Sequence, residues 1–406
     1  MFITTSLSNI ATVIDGLAAL TADKTRIFDW TSQSARKVAI QAARRLITNL
    51  EKPEETIQHT AFLPIQNICA RIAIDLNLFQ IVIDHSGESQ DVPVTSVAIS
   101  ESCNAESLFI VRIMRILVAN GFFNEAGHQS YLPNEVTRTM TQPKYKACIE
   151  FFFDQALITG AKVPEYFRQK GFKSPRDARA GPFQYAINTD LETFHYWSTQ
   201  PRVYETFNIL MTGSKGSKLG WTHWFPIKEN LLLGCKSAEG STLMVDIGGG
   251  IGTEISEFYI NFPSFPGRLI LQDLPPVIRS VKELQAKVER QEYNFFTPQL
   301  VRGARIYYFH FVLHDWPDEM AIEILRNTAS AMEPGYSKLI INELILPDIQ
   351  CSLFDAGLDI NMMNLHSGIE RSESQWTSIL NGAGLEVVKF WYNPGEGPGV
   401  IEAILS

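Results

Sequence analysis

The 406-residue chain is poor in cysteine, has no basic excess and contains no long apolar run. Its five cysteines, Cys69, Cys103, Cys148, Cys235 and Cys351, are odd in number, widely separated and never in a Cys-x-x-Cys pair. That spacing argues against a disulfide framework and a cysteine zinc site, and for a reducing, cytoplasmic setting. No His, Cys, Asp and Glu cluster has metal-ligand spacing, so no metal is expected. Lys and Arg number 35 against 44 Asp and Glu, a formal charge of -9. Nucleic acid is therefore a poor partner, because affinity for a phosphate backbone comes from clustered Lys and Arg. No apolar stretch reaches the roughly 18 residues that a membrane-spanning helix needs. The N-terminal segment MFITTSLSNIATVIDGLAAL has no basic stretch and carries Asp15, so neither a signal peptide nor a membrane span is expected. Internal repeats and low-complexity tracts are also missing. What is left, 45% hydrophobic and 19% charged residues, is the composition of a chain that folds throughout and takes a small molecule as its partner.

The length exceeds what one ordinary core holds, and the texture changes along it. Residues 1–140 read as helical, with Ile10, Val13, Ile14, Leu17 and Leu20, then Ile40, Ala43, Leu46 and Leu50, at helical spacing. Helices are expected over Ile65–Phe79, Thr95–Ser100 and Ala105–Asn120, followed by a hairpin over residues 122–131, the order of a winged helix-turn-helix. Its third helix sets Glu106 against only Arg112 and Arg115, which suits dimerisation or a substrate lid better than DNA. Residues 141–235 are mixed helix and loop, dense in rings such as Phe151, Phe183, Trp197, Trp221 and Trp224. Most of those rings are core by ordinary burial preference, and a minority should line an apolar pocket. Residues 236–406 alternate between strands and helices, which implies a mostly parallel sheet covered on both faces. The expected strands are 243–247, 268–272, 306–311, 338–344, 385–391 and 399–405; the expected helices are 253–261, 275–289, 318–332 and 374–383.

The chemistry gathers at strand ends. In LMVDIGGGIGTEISEF a buried strand ends in Asp246 and runs through Gly248, Gly249, Gly250 and Gly252 into a helix. Such glycines allow a tight turn and a close ligand approach, but Thr253 stands where a dinucleotide fingerprint needs glycine. The next strand ends in Asp273, placed to hold the hydroxyls of a ribose. In YYFHFVLHDWPDEMAIEILRN a third strand ends before His314, Asp315 and Trp316. Two later acids, Glu343 in INELILPD and Glu370 in GIERSESQW, give that histidine orienting partners. Imidazole, with an unperturbed pKa of about 6.5, is the usual group for removing a hydroxyl proton near neutrality.

Together these stretches resemble the family 2 O-methyltransferases of plants and fungi, the group of the caffeic acid and isoflavone enzymes. VDIGGGIG, LQDLPPVI, FHFVLHDWPDE, INELILPD and GIERSESQW stand in that family's order over residues 60–406, and PFQYAINTDL and YNFFTPQLVRGARIYYF are similar to its fungal secondary-metabolite branch. The resemblance implies a class I methyltransferase fold, a Rossmann-like doubly wound α/β sheet preceded by a helical winged-helix dimerisation domain, and a homodimer. It implies S-adenosylmethionine as cofactor, held by Asp246, Gly248, Gly250, Gly252 and Asp273 with Asn294, Phe295 and His310 nearby. His314 would be the general base, flanked and oriented by Glu343 and Glu370. Two positions depart from the family pattern: Asn294 replaces the usual Asp, and His310 replaces the usual Lys or Arg. Trp316, Met362 and Met363 suggest an apolar acceptor pocket for an aromatic or polyketide-type substrate. Asn361, Asn364 and His366 read either as polar pocket contacts or as loop solvation. The expected reaction is methyl transfer to an oxygen; the alternative on the same fold is a non-methylating dehydration or pericyclic step.

Overall fold

The structure, a computed structural model, describes residues 33–213, 220–238, 240–394 and 397–406. The expected amphipathic stretch Ile10–Leu20 lies outside the described residues. Two compact units divide the chain between Phe62 and Leu63, and the segment around Pro394 clusters with the first. In the first, helix Gln33–Leu50 leaves Ile40, Ile47 and Leu50 exposed. Helix Pro53–Asp75 opens with proline in the first turn followed by Glu54 and Glu55, which suit the positive end of the helix dipole.

The second unit carries the site. Leu78–His85 forms a separate helix, because Asn77 takes left-handed backbone (φ 54°) where one continuous helix to Phe79 was expected. Strand β1 (Val94–Thr95) leads into helix Ser96–Cys103, where the Thr95 side chain accepts from Ala98 N–H. Helix Ser107–Ala119 and strands β2 (Asn124–Gly127) and β3 (Ser130–Leu132) follow in the expected order. These strands form a small sheet in the order β1-β3-β2 over a core that includes Phe79, Met114 and Phe123.

Beyond it, helix Pro143–Phe151 continues through a π-helical turn, Phe152–Leu157, into helix Ile158–Lys170. That turn points Gln155 inward, where its Oε1 accepts from Trp197 Nε1 at 2.9 Å. Phe151, Phe183, Trp197 and Leu365 form one buried cluster, so these rings are core.

The main sheet contains β4 (Thr242–Ile247), β5 (Arg268–Asp273), β6 (Val288–Glu292), β7 (Ile306–His310) and β8 (Lys338–Glu343). A short strand, β9 (Ile345–Leu346), pairs in parallel with β10 (Arg371–Ser372), and the chain ends in β11 (Leu385–Trp391) and β12 (Gly399–Leu405). The strand order is β11-β12-β8-β7-β4-β5-β6. Strands β4 to β8 run parallel, while β12 is antiparallel to both β8 and β11. The strand order therefore reverses at β4, with β5 and β6 added on one side and β7 and β8 on the other, where open α/β sheets leave a crevice beyond their strand ends.

Two expectations are corrected. The helix expected over 275–289 is only Pro275–Ser280, and β6 follows it. That strand, VERQE, is an edge with mostly polar, exposed side chains, and Glu289 and Glu292 pair with Arg268 and Arg279. It therefore lacks the apolar alternation that marks a strand. The segment holding Asn361, Asn364 and His366 is not loop but the end of helix Leu353–His366, capped where the Ser352 side chain accepts from Asp355 N–H.

Candidate active site

The glycine turn sits at the C-terminal end of β4. Gly248, Gly250 and Gly252 have φ of 70°, 59° and 83°, left-handed values that glycine adopts without strain. A β-carbon on Gly248 would lie 2.8 Å from Val312, and one on Gly252 2.5 Å from Leu284, so both positions are closed to larger residues. A β-carbon on Gly250 would meet nothing within 4 Å, so the turn opens there. Asp246 is buried beneath it. At the tip of β5, Asp273 accepts Gly250 N–H at 2.8 Å and Leu274 N–H at 2.7 Å. Burial raises its carboxyl above the usual range, against the pull of those two N–H groups.

Asn294 lies past the edge strand. Its Oδ1 accepts Phe296 N–H at 3.1 Å, closing a turn that sets Phe295 beside Gly248. The Phe295 and Phe296 rings stand 5.9 and 4.9 Å from Trp316, whose side chain is buried among them. Trp316, expected to line the acceptor pocket, is thus a core residue bracing the turn that follows β7. Met362 and Met363 are half-buried on the last turn of helix Leu353–His366.

His310 ends β7, with Nδ1 2.8 Å from the backbone oxygen of Asn342 and Nε2 3.7 Å from Glu254 Oε1. Next to it Phe311 takes φ 50°, a strained value for a bulky residue. Its ring lies 4.4 Å from that of His310 and 5.2 Å from that of His314. Residue type alone gave no hint of Phe311; its backbone conformation marks it.

His314 stands on a short 3-10 turn, Leu313–Asp315. Its Nδ1 donates to Glu370 Oε1 at 2.7 Å, and its Nε2 faces Asp315 Oδ1 at 3.5 Å. Glu343 holds the backbone instead of the ring: its Oε1 accepts Val312 N–H at 3.0 Å and Leu313 N–H at 2.7 Å. Burial alone would lower the imidazole's proton affinity, but the charges of Glu370 and Asp315, the Glu370 hydrogen bond and Glu343 outweigh it and raise His314 to about 10. Burial also pushes Asp315 up to about 7, against the attraction of His314, and raises Glu343.

The residues after Gly368 fasten this turn. A β-carbon on Gly368 would collide with the His314 oxygen, so only glycine fits. Ile369 N–H donates to that same oxygen at 2.8 Å, and Arg371, fully buried, bonds the oxygens of Leu313 and Trp316. His366 approaches the same oxygen of Asp315, with Nε2 4.0 Å from Oδ1. Its ring stacks on Phe194 at 4.6 Å and meets Trp197 edge-on, and burial together with the charge of His314 lowers it to about 3. It is a neutral imidazole, so no ion pair joins it to Asp315. The sequence-based candidates His314, Glu343 and Glu370 therefore converge, as do the glycines with Asp246 and Asp273.

Comparison with known proteins follows the same lines. A family model for the O-methyltransferase domain matches residues 176–386. O-methyltransferase penC of Penicillium thymicola is 35% identical over 390 residues, covering 96% of each chain. Among solved structures, LepI in complex with SAM aligns with a TM-score of 0.86 at 27% identity, covering 97% of this chain and 100% of that one. A structure described as a pericyclic reaction enzyme aligns with the same figures. OxaC in complex with sinefungin and meleagrin gives a TM-score of 0.80 at 26% identity, covering 97% and 99%. With over half of the chain matched by the family model and nearly the full length of penC covered, this chain belongs to the O-methyltransferase family.

Proposed function

We propose that the enzyme methylates a phenolic or enolic oxygen of an aromatic or polyketide-type natural product, using S-adenosylmethionine, with His314 as general base. The observation that carries this reading is the His314–Glu370 hydrogen bond, which fixes Nδ1 as donor and leaves Nε2 to take a proton. The cofactor, when bound, supplies an electrophilic methyl group. The residues present suit it: the turn Gly248–Gly252 opens at Gly250, Asp273 is a half-buried acceptor for ribose hydroxyls, and Phe295 gives an apolar wall for a base. Asn294 supports that wall through its turn and presents no carboxylate.

The carboxylates set the strength of the base. A phenol has a pKa of about 10, so giving its proton to an isolated imidazole costs about 5 kcal/mol, whereas the neutral form of His314, raised to about 10, takes it with almost no cost once its own proton has left. The same hold keeps His314 protonated in the free enzyme at neutral pH, so kcat/KM should climb with pH toward 10. Glu343 fixes the backbone of the turn and Glu370 the ring, so the reacting oxygen and Nε2 are aligned before they meet.

A second reading, a dehydration or pericyclic step on the same fold, draws support from the neighbour described as a pericyclic reaction enzyme. Methyl-labelled S-adenosylmethionine and a panel of phenols separate the two. One S-adenosylhomocysteine per product supports methyl transfer, and turnover without it supports the second reading. Asp273→Ala should weaken S-adenosylmethionine binding by about 10–100-fold in calorimetry, the worth of one charge-assisted contact; unchanged binding removes the ribose role. We also propose a homodimer, because Ile40, Ile47, Leu50 and Ile57 are exposed on the first described helices, and a cytoplasmic setting, which free cysteines suit. Light scattering should give twice the chain mass, and a stable monomer would overturn the dimer.

A further inference from the structure

Arg371 has no expected role in the sequence, yet its side chain is completely buried, a costly place for a guanidinium unless every donor is used. Its Nη1 donates to Leu313 O at 2.9 Å, its Nη2 to Trp316 O at 2.8 Å and its Nε to Asp318 Oδ1 at 2.9 Å, and the guanidinium lies 5.2 Å from the Trp376 ring. The two carbonyls it bonds bracket His314 and Asp315 in the chain. Between them, His314 O is taken by Ile369 N–H, and the adjoining Glu370 meets the His314 ring. Ring and backbone of the histidine are thus held by three consecutive residues, Ile369, Glu370 and Arg371, where the chain enters β10.

We propose that Arg371 is a positioning residue for catalysis: by spanning the carbonyls of Leu313 and Trp316 it fixes the turn so that the His314 ring meets Glu370 and presents Nε2 to the acceptor. Only a planar fork reaches both carbonyls and Asp318 at once; an ammonium bonds as a point and holds one side. The proposal rests on His314 being the base.

The test is a double-mutant cycle of Arg371→Lys with His314→Gln, read with S-adenosylmethionine and the best acceptor of the phenol panel. Arg371→Lys should lower kcat about 10–100-fold, leave S-adenosylmethionine binding within about threefold, and cost nothing further in the His314→Gln background, because residues acting as a unit are not additive. Arg371→Met should lose more than Arg371→Lys. An equal loss in both backgrounds, or none in either, overturns the proposal. If His314→Gln keeps full kcat, the base reading has failed, and the positioning role is judged on the His314 titration in 13C-histidine protein. A midpoint lowered by Arg371→Lys upholds the role and an unmoved one overturns it. Should Arg371→Lys fail to fold, Asp318→Ala removes one of its hydrogen-bond partners and should shift the same two readouts in the same direction by less; no shift overturns the proposal.

Discussion

Two histidines that approach the same oxygen of Asp315 behave in opposite ways. His314 is raised to about 10 and His366 is lowered to about 3, although their side chains are only 12% and 7% exposed. Burial pushes each toward neutrality, so burial does not distinguish them. The neighbours do. His314 has Glu370 at 2.7 Å with Asp315 and Glu343 close by, while His366 is packed against Phe194 and Trp197 and feels the charge of His314. One surrounding suits the base proposed at His314 and the other a neutral wall. The lesson is that a catalytic histidine is recognised by the carboxylates arranged around it.

The largest effect should come from His314→Ala, which removes the base. Methyl transfer should fall by about 10²–10⁴-fold while S-adenosylmethionine still binds in calorimetry. An unchanged kcat would make the two histidines equivalent spectators. Glu370→Gln acts on the contrast itself. It should lower kcat about tenfold or more and shift the rise of kcat/KM to lower pH, because the main charge holding the imidazolium is gone. Comparing the variant with the wild type on one acceptor cancels the ionisation of the substrate.

His366→Phe should have the smallest effect at neutral pH, because a phenyl ring suits the pocket of Phe194 and Trp197, and stability there should change by about 1 kcal/mol or less. In acid the sign is set by linkage. His366 in the folded chain refuses a proton until about pH 3, whereas the unfolded chain takes one near pH 6.5. Between those values the unfolded state binds more protons, so the wild type loses roughly 1.4 kcal/mol per pH unit as pH falls through that window. His366→Phe removes this loss, and urea midpoints at pH 7 and pH 4.5 measure it. A variant that loses stability as steeply as the wild type would show that another group titrates there.

Most strand ends were legible in the sequence because apolar runs stop abruptly at an acid or a glycine, as at Asp246, Asp273 and Glu343. β6 was not, since an edge strand with polar side chains carries no apolar alternation. The helix Leu353–His366 was missed because its polar residues, Asn361 and Asn364 among them, prefer turns locally, while packing of its Leu365 end with Phe183 and Trp197 fixes it. Glu370 was found by its motif, but Arg371 beside it was not, because nothing local marks an arginine whose main hydrogen-bond partners lie in a turn 53 or more positions away. Trp316 looked like a pocket residue for the opposite reason: it adjoins the chemistry in sequence while its ring turns into the core.

The most direct test of the account is an NMR titration of 13C-histidine-labelled enzyme, with His314→Gln and His366→Phe used to assign the two resonances. The account predicts that His314 is still charged at pH 8 and that His366 is still neutral at pH 5. A His314 resonance that titrates near 6.5, like a free imidazole, would contradict it.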